Sequence, residues 1–373
     1  MWTWWSMAFY KDLLLINILL LLLLHPCPVV LNPKKNKTIY SMRLIFLHLL
    51  ALAQLVPSTL ASLQDSPPPP PPPLNLRPII GIVSQPLHSD PGLSYIAASY
   101  VKFVEMAGGR AVPLKFGDAT SEIDGLLDGL NGVLWPGGGA DVGNTSSPYY
   151  QFAAHIWNRV IEKNDKGVKF PMWGTCLGFE FIHIMASGNT SMLECDYDAE
   201  DLPLRLDFVP KARTTGELLA RMSDGLYDAL NSLPLTQNEH RCGVSPSSYE
   251  GASGSKLSEF FDIKATNLDR NKKEFVSLVE GKKYPVWGMQ AHPEKSNFEW
   301  VTSEKIPIPH TLESIEMSQY FSNFFMNECR GNMQKLENET SKLMYNYSPT
   351  YTGATGGYFQ QTYTFPIIQP ESK

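Results

Sequence analysis

The stretch Gly174-Thr175-Cys176-Leu177-Gly178 sets one cysteine between two glycines, after an apolar run and before a helical pattern. A strand that turns sharply into a helix would hold Cys176 in a strained backbone conformation and push its side chain out of a sheet edge. Small residues two positions to either side would let the chain close up around it. In that setting the Leu177 N–H would face a developing oxyanion, and the start of the helix would favour the thiolate. The alternative is a small buried thiol, the usual state of a lone cysteine.

A nucleophilic thiol needs a base. The run Val286 to Lys295, VWGMQAHPEK, supplies His292 at the end of an apolar strand pattern, with Glu294 two residues on. In an extended segment these two share a face, so His292 can meet Cys176 while Glu294 orients the second ring nitrogen. The run Leu134 to Asp141, LWPGGGAD, ends another strand pattern, and its glycines could bring the Gly138 N–H to a bound carbonyl as a second oxyanion donor. It has no GK[ST] and no GxGxxG, so a phosphate loop is a weak reading, and a plain tight turn is the alternative. Glu180, one helical turn after Cys176, should face the same side and could hold a cationic group or cap a local network. His240, in TQNEHRCGVSP, could contact substrate or stabilise a turn. His155 and His183 fall on helical patterns and read as structural.

Strand and helix patterns alternate from Arg77 onwards: RPIIGIVS, then a helix over 94–109, RAVPL, a short helix opened by Ser121, GVLW, a helix over 149–167, VKFPMWGT, and a helix after Cys176. That order suits βαβ units and a mostly parallel sheet flanked by helices, an α/β fold in which sites form at the C-terminal strand ends. The second half is mixed. LPLRLDFV reads as a strand and 216–231 as a helix. FFDIKATNLD, KEFVSLVEG and the strand before His292 follow, partly antiparallel, and a strong amphipathic helix covers 312–330. The Tyr/Thr/Gly-rich segment after residue 344 reads by composition as a tail.

Composition narrows the partners. The 373 residues carry a net charge of −6 with no Lys/Arg cluster, which argues against nucleic acid. Five cysteines form no CxxC pair, so zinc and dithiol readings are weak, while disulfides stay open. Residues 1–61 read as a signal or extension region. The run from Met42 has a positive residue, a Leu-rich core and small-residue cleavage sites, so 42–61 reads as a signal peptide. Translation from Met42 and a working signal in the first apolar run, 13–24, are the two alternatives, and the second run has the better signal anatomy. Residues 62–76 form a Pro-rich polyproline II linker, and 77–373 a single catalytic domain. The N-x-[ST] sequons are Asn36, Asn144, Asn189, Asn338 and Asn346. Asn144 and Asn189 fall in predicted loops, which suits a glycoprotein of the secretory pathway, extracellular or in a lysosome or vacuole.

Taken together, PGGGAD, WGTCLGFE, NEHRCGVSP and QAHPEKSNFEW resemble the γ-glutamyl hydrolases, within the class I glutamine amidotransferase-like group. The likeness extends from RPIIGIVSQP to MYNYSPTYTG and YFQQTYTF, and so implies that the Tyr-rich end belongs to the folded domain. The resemblance implies a flavodoxin-like three-layer fold and cleavage of γ-glutamyl bonds in folylpoly-γ-glutamates through a γ-glutamyl thioester. Cys176 is similar to the family's nucleophile, His292 to its proton donor, His240 to a substrate-side histidine, and Glu294 to the third triad position. Gly138, Leu177 and Glu180 complete the expected substrate site, with Arg241 and Lys295 as cationic candidates for substrate carboxylates. No cofactor or metal is implied. The expected partner is a small-molecule substrate, with a homodimer open. One departure is Ala291, where the family often has an aromatic residue. The rival readings are a glutaminase that feeds a synthase and a catalytically inactive binding protein on the same fold.

Overall fold

The computed structural model describes residues 73–300, 308–355 and 358–367. The signal region, the Pro-rich linker up to residue 72 and Asn36 lie outside the described residues.

The central sheet has eight strands. In chain order the elements are β1 (Ile79–Val83), β2 (Gln85–Leu87), β3 (Asp90–Ala97), α1 (Ala98–Met106), β4 (Arg110–Leu114), α2 (Thr120–Leu127), β5 (Gly132–Trp135), α3 (Pro148–Asp165), β6 (Met172–Thr175) and α4 (Leu177–Ser187). There follow β7 (Leu193–Glu194), β8 (Ala199–Leu204), β9 (Asp207–Phe208), α5 (Asp224–Ser232), β10 (Thr236–His240), β11 (Gly243–Val244), α6 (Gly251–Phe260), β12 (Phe261–Leu268), β13 (Glu274–Gly281) and β14 (Val286–Met289). The last are α7 (Lys295–Phe298), α8 (Leu312–Cys329), α9 (Glu339–Lys342), β15 (Thr350–Tyr351) and β16 (Gln361–Pro366).

The sheet order is β4-β1-β5-β6-β14-β13-β12-β9. The first five strands pair in parallel and the rest antiparallel, as the mixed second half of the sequence leads one to expect. Both faces of the parallel strands are covered, so their residues are apolar in succession and alternate between two core layers. Ile80, Ile82, Leu134 and Trp173 pack with Phe321 and Phe325 of α8 on one face. Val83, Val133, Trp135 and Met172 pack with Ile156 of α3 and Phe179 of α4 on the other.

Three local expectations are corrected. The helix expected over 94–109 begins only at Ala98; Tyr95 and Ile96 lie in β3, which pairs with β2 and β16. The helix expected over 216–231 is only α5, Asp224–Ser232. Upstream of it, Gly216 has a positive φ of 72° and the Glu217 and Leu218 N–H groups donate to the Glu280 carboxylate, so tertiary capture replaces helical bonding. The segment LPLRLDFV is split between β8, in a two-stranded ribbon with β10, and β9, on the edge of the main sheet. The Tyr-rich end is folded: β16 pairs antiparallel with β3 and with β15.

Candidate active site

The elbow is built as its glycines imply. Cys176 lies directly between β6 and α4 with φ 49° and ψ −108°, a conformation that non-glycine residues rarely adopt. Its N–H donates to Met289 O of the neighbouring β14 at 2.9 Å, and its carbonyl accepts from Glu180 N at 2.9 Å, which opens the helix. The glycines are required by space. A Cβ on Gly178 would lie 2.3 Å from Trp135 O, and one on Gly174 would lie 2.6 Å from Gly178 O, both backbone atoms of packed elements.

Strand β14 runs parallel to β6 with Met289 opposite Thr175, so the chain leaves both strands at the same edge. Three residues past that edge stands His292, and its Nδ1 donates to Glu294 Oε1 at 2.8 Å, both side chains being buried. The loop after β5 comes close to both histidine and cysteine at Gly137. A Cβ on Gly137 would come within 2.5 Å of His292 Cε1 and 3.0 Å of Cys176 Cβ. The Gly137 N–H donates to the Tyr100 hydroxyl at 2.8 Å, and that hydroxyl lies 3.2 Å from His292 Nδ1. Tyr100 is a site residue that sequence reasoning missed. Its only signal was an aromatic on the core face of α1.

Gly138, expected as an oxyanion donor, adjoins this peptide. A Cβ on it would collide with the Gln85 side chain, whose Nε2 donates to Gly137 O at 3.0 Å and so sets the loop's path. The Leu177 N–H lies against the Cys176 sulfur and favours its ionised form. The expected net effect on the thiol is overturned: burial, then the charge of Glu180, pushes the Cys176 pKa well above the usual thiol range. Lys295 opposes this shift, Glu294 adds to it, and Leu177 again opposes it. The direction is towards a neutral thiol in the free site.

Glu180 lies within a local side-chain network. Its Oε1 accepts from Gln290 Nε2 at 3.0 Å, and burial raises its pKa to about 8, which that hydrogen bond partly offsets. Below pH 8 it is mostly neutral and places little charge beside the sulfur. Gln290, directly after β14, is a second residue that the motif reading passed over.

Strand β10 crosses the same edge. Gln237 O accepts from His292 N at 2.8 Å, and Glu239 O lies 3.9 Å from Cys176 Sγ. His240 ends this strand, buried, with Nδ1 donating to Cys242 O at 2.8 Å and Nε2 unpartnered. Burial lowers its pKa to about 4; the Cys242 carbonyl opposes this and the charge of His292 adds to it. Of the two cationic candidates, Lys295 is buried beside Glu239, 3.6 Å from its Oε1, whereas Arg241 is exposed and bonded to Glu200 at 2.6 Å. His183 is buried between Phe179 O and the Tyr249 hydroxyl, and His155 bonds Asp124. Among the described residues no group of three or more His, Cys, Asp or Glu is arranged to hold a metal ion. Ala291 is buried in the core layer.

A thiol, an imidazole tied to a carboxylate, and backbone N–H groups gathered at one strand edge have the parts list of acyl transfer. The peptidase C26 family pattern matches residues 78–294. The chain is 37% identical over 309 residues to γ-glutamyl hydrolase 1 of Arabidopsis thaliana, covering 80% of this chain and 85% of that protein. To the γ-glutamyl hydrolase of Mus musculus it is 39% identical over 295 residues, covering 78% and 90%. Among solved structures it is similar to a glutamine amidotransferase from Thermotoga maritima at 12% identity, covering 68% of this chain and 96% of that one, with a TM-score of 0.37.

Proposed function

The chain belongs to the peptidase C26 family together with the γ-glutamyl hydrolases, and we propose that it hydrolyses the γ-glutamyl bonds of folylpoly-γ-glutamates through a γ-glutamyl thioester on Cys176. The observation that carries this reading is the pair of adjacent parallel strand ends that bring Cys176 and the His292–Glu294 couple to the same glycine, Gly137.

In this mechanism Cys176 gives its proton to His292 as the sulfur attacks the γ-amide carbonyl. The imidazolium is held by Glu294 and then protonates the leaving amine. Water, deprotonated by the same ring, attacks the thioester and frees the acyl group and the thiol. Because burial keeps the thiol neutral in the free site, the transfer is coupled to substrate entry. The Leu177 N–H is one oxyanion donor. Gly138 is the loop's remaining candidate, since the Gly137 N–H is committed to Tyr100. Lys295 and the unpartnered Nε2 of His240 offer the substrate a charge and an acceptor. No metal or organic cofactor enters any step.

The mature protein is read as one catalytic domain from residue 77 that enters the secretory pathway. The signal anatomy from Met42 supports this, as does a disulfide between Cys195 and Cys242, which suits an extracellular, lysosomal or vacuolar setting. Asn144 and Asn189 are exposed and suited to glycosylation, while the Asn346 side-chain amide is committed to Thr340 O and Leu343 O.

A product time course on a defined pteroyl-γ-oligoglutamate tests the reading, with free glutamine as the competing substrate. Cleavage of the pteroyl substrate, a drop of about 10⁴-fold or more in Cys176→Ala, and an unchanged melting temperature are expected. Wild-type turnover in Cys176→Ala discards the nucleophile, and ammonia release from glutamine without pteroylglutamate cleavage favours the glutaminase.

A further inference from the structure

His240 sits where its strand is least secured. Ribbon β10–β8 has only two strands, and its register shifts between Asn238 and His240, so the ladder is irregular just before the histidine, which pairs with Ala199 beyond the shift. Two residues later Cys242 is joined to Cys195, 47 residues away in sequence. The bond ties together two stretches that each form one side of the His240 site. On the Cys242 side, the Cys242 carbonyl accepts from Nδ1, which fixes the tautomer and leaves Nε2 as a buried acceptor without a partner. On the Cys195 side, Tyr197 donates its N–H to Arg241 O at 3.0 Å and sets its ring 6.4 Å from the imidazole. Phe275 closes the third side, edge to face, at 4.7 Å. The charged groups that act on the imidazole are His292, Glu239 and Asp269.

We propose that the Cys195–Cys242 disulfide is a positioning element for substrate: it clamps the His240 segment against the reacting pair, so that substrate engagement depends on these two cysteines being oxidised. This rests on the reading of Cys176 and His292 as the reacting groups. The same strand touches both of them, through Gln237 O to His292 N and through Glu239 O to Cys176 Sγ. A shift of β10 therefore moves the Nε2 acceptor relative to the scissile bond. Cys195 is exposed and Cys242 half-buried, so a soluble dithiol reaches the bond. In that exchange the disulfide takes up two electrons and two protons to become two thiols, and the dithiol is oxidised to its own disulfide.

The test uses the intact chain, oxidised and after dithiothreitol treatment, with Cys195→Ser/Cys242→Ser in both the wild-type and the His240→Ala backgrounds, below the melting temperature of each. Two readouts are taken: kcat and KM on pteroyl-γ-triglutamate, and the NMR titration of the His240 ring. Loss of the bond should raise KM about five- to tenfold with kcat within about twofold, roughly the worth of one hydrogen bond. It should add nothing in the His240→Ala background and should move the ring pKa up from about 4 towards the ordinary 6.5. Dithiothreitol-reduced wild type should reproduce the serine pair, and it serves alone if that variant does not fold. Additive KM effects in the His240→Ala background, or an unchanged ring titration with only a lowered melting temperature, would overturn the proposal. If no variant cleaves a γ-glutamyl substrate, the hydrolase reading fails, and the ring titration still decides the clamp.

Discussion

The parallel half of the sheet and the β8–β10 ribbon meet at one edge, yet they hold their side chains by different means. Strands β6 and β14 are bonded on both sides and buried on both faces, so Cys176 and His292 leave a scaffold with almost no freedom to shift. His240 leaves a two-stranded ribbon with a register shift, and a covalent bond two residues on reinforces the short β11–β7 pairing beside it. In the chain-entropy picture, closing a loop of this length contributes about 4 kcal/mol, comparable to a well-packed core side chain. The groups assigned to bond making thus stand on packing, and the group assigned to substrate contact stands on a staple. A residue that binds must accommodate a ligand, whereas a nucleophile and its base must already be aligned.

The contrast can be broken most sharply at Gly178. Ala there sets a Cβ against Trp135 O, backbone of a central strand that cannot give way, so Gly178→Ala should lose about 2–3 kcal/mol or more of stability and at least tenfold in kcat together. A normal melting curve and full activity would show that the elbow is less constrained than its contacts imply. On the ribbon the effects should separate. His240→Ala is expected to raise KM about tenfold with kcat and melting temperature little changed. A large fall in kcat instead would move His240 into the bond-making group. A third effect, read in stability against pH, concerns Glu180. Its folded pKa of about 8 lies above the ordinary 4.5, so the folded state holds a proton that the unfolded chain has lost. Glu180 therefore lowers stability as pH rises from 4.5 to 8, and Glu180→Gln should flatten that decline in melting temperature while leaving the acid side alone. Parallel curves for the two proteins would refute the assignment.

Much of this was written locally in the chain. The glycines around Cys176 predict an elbow because only a closed-up backbone needs them; the His292–Glu294 hydrogen bond is present, but a turn with Glu294 in the αR region makes it, where the sequence pointed to an extended strand end. What was not legible depends on partners far away in sequence. Residues 216–222 have a good helical pattern, but Glu280 draws off their N–H groups. Tyr95 sits on helical spacing, yet β16 claims it as strand. The pairing of Cys195 with Cys242 follows from no spacing rule, and Tyr100 shows as one aromatic on a core face until Gly137 and His292 are brought to its hydroxyl. The neutral thiol of Cys176 was missed for a related reason: the elbow motif announces the helix terminus but not the depth of burial that outweighs it.

Strand β16 bears on the order in which the molecule can be made. It pairs with β3, and Thr362 lies opposite Ala97, roughly 260 residues earlier in the chain. Directly after Ala97 comes α1, whose Tyr100 secures the Gly137 peptide between the thiol and the imidazole. At a synthesis rate of about 5–20 residues per second, β3 waits some tens of seconds for its neighbour to be made. The main sheet can form in that interval, but the edge beside Tyr100 is sealed only once β16 has been made, well after the strands that carry the cysteine and the histidine.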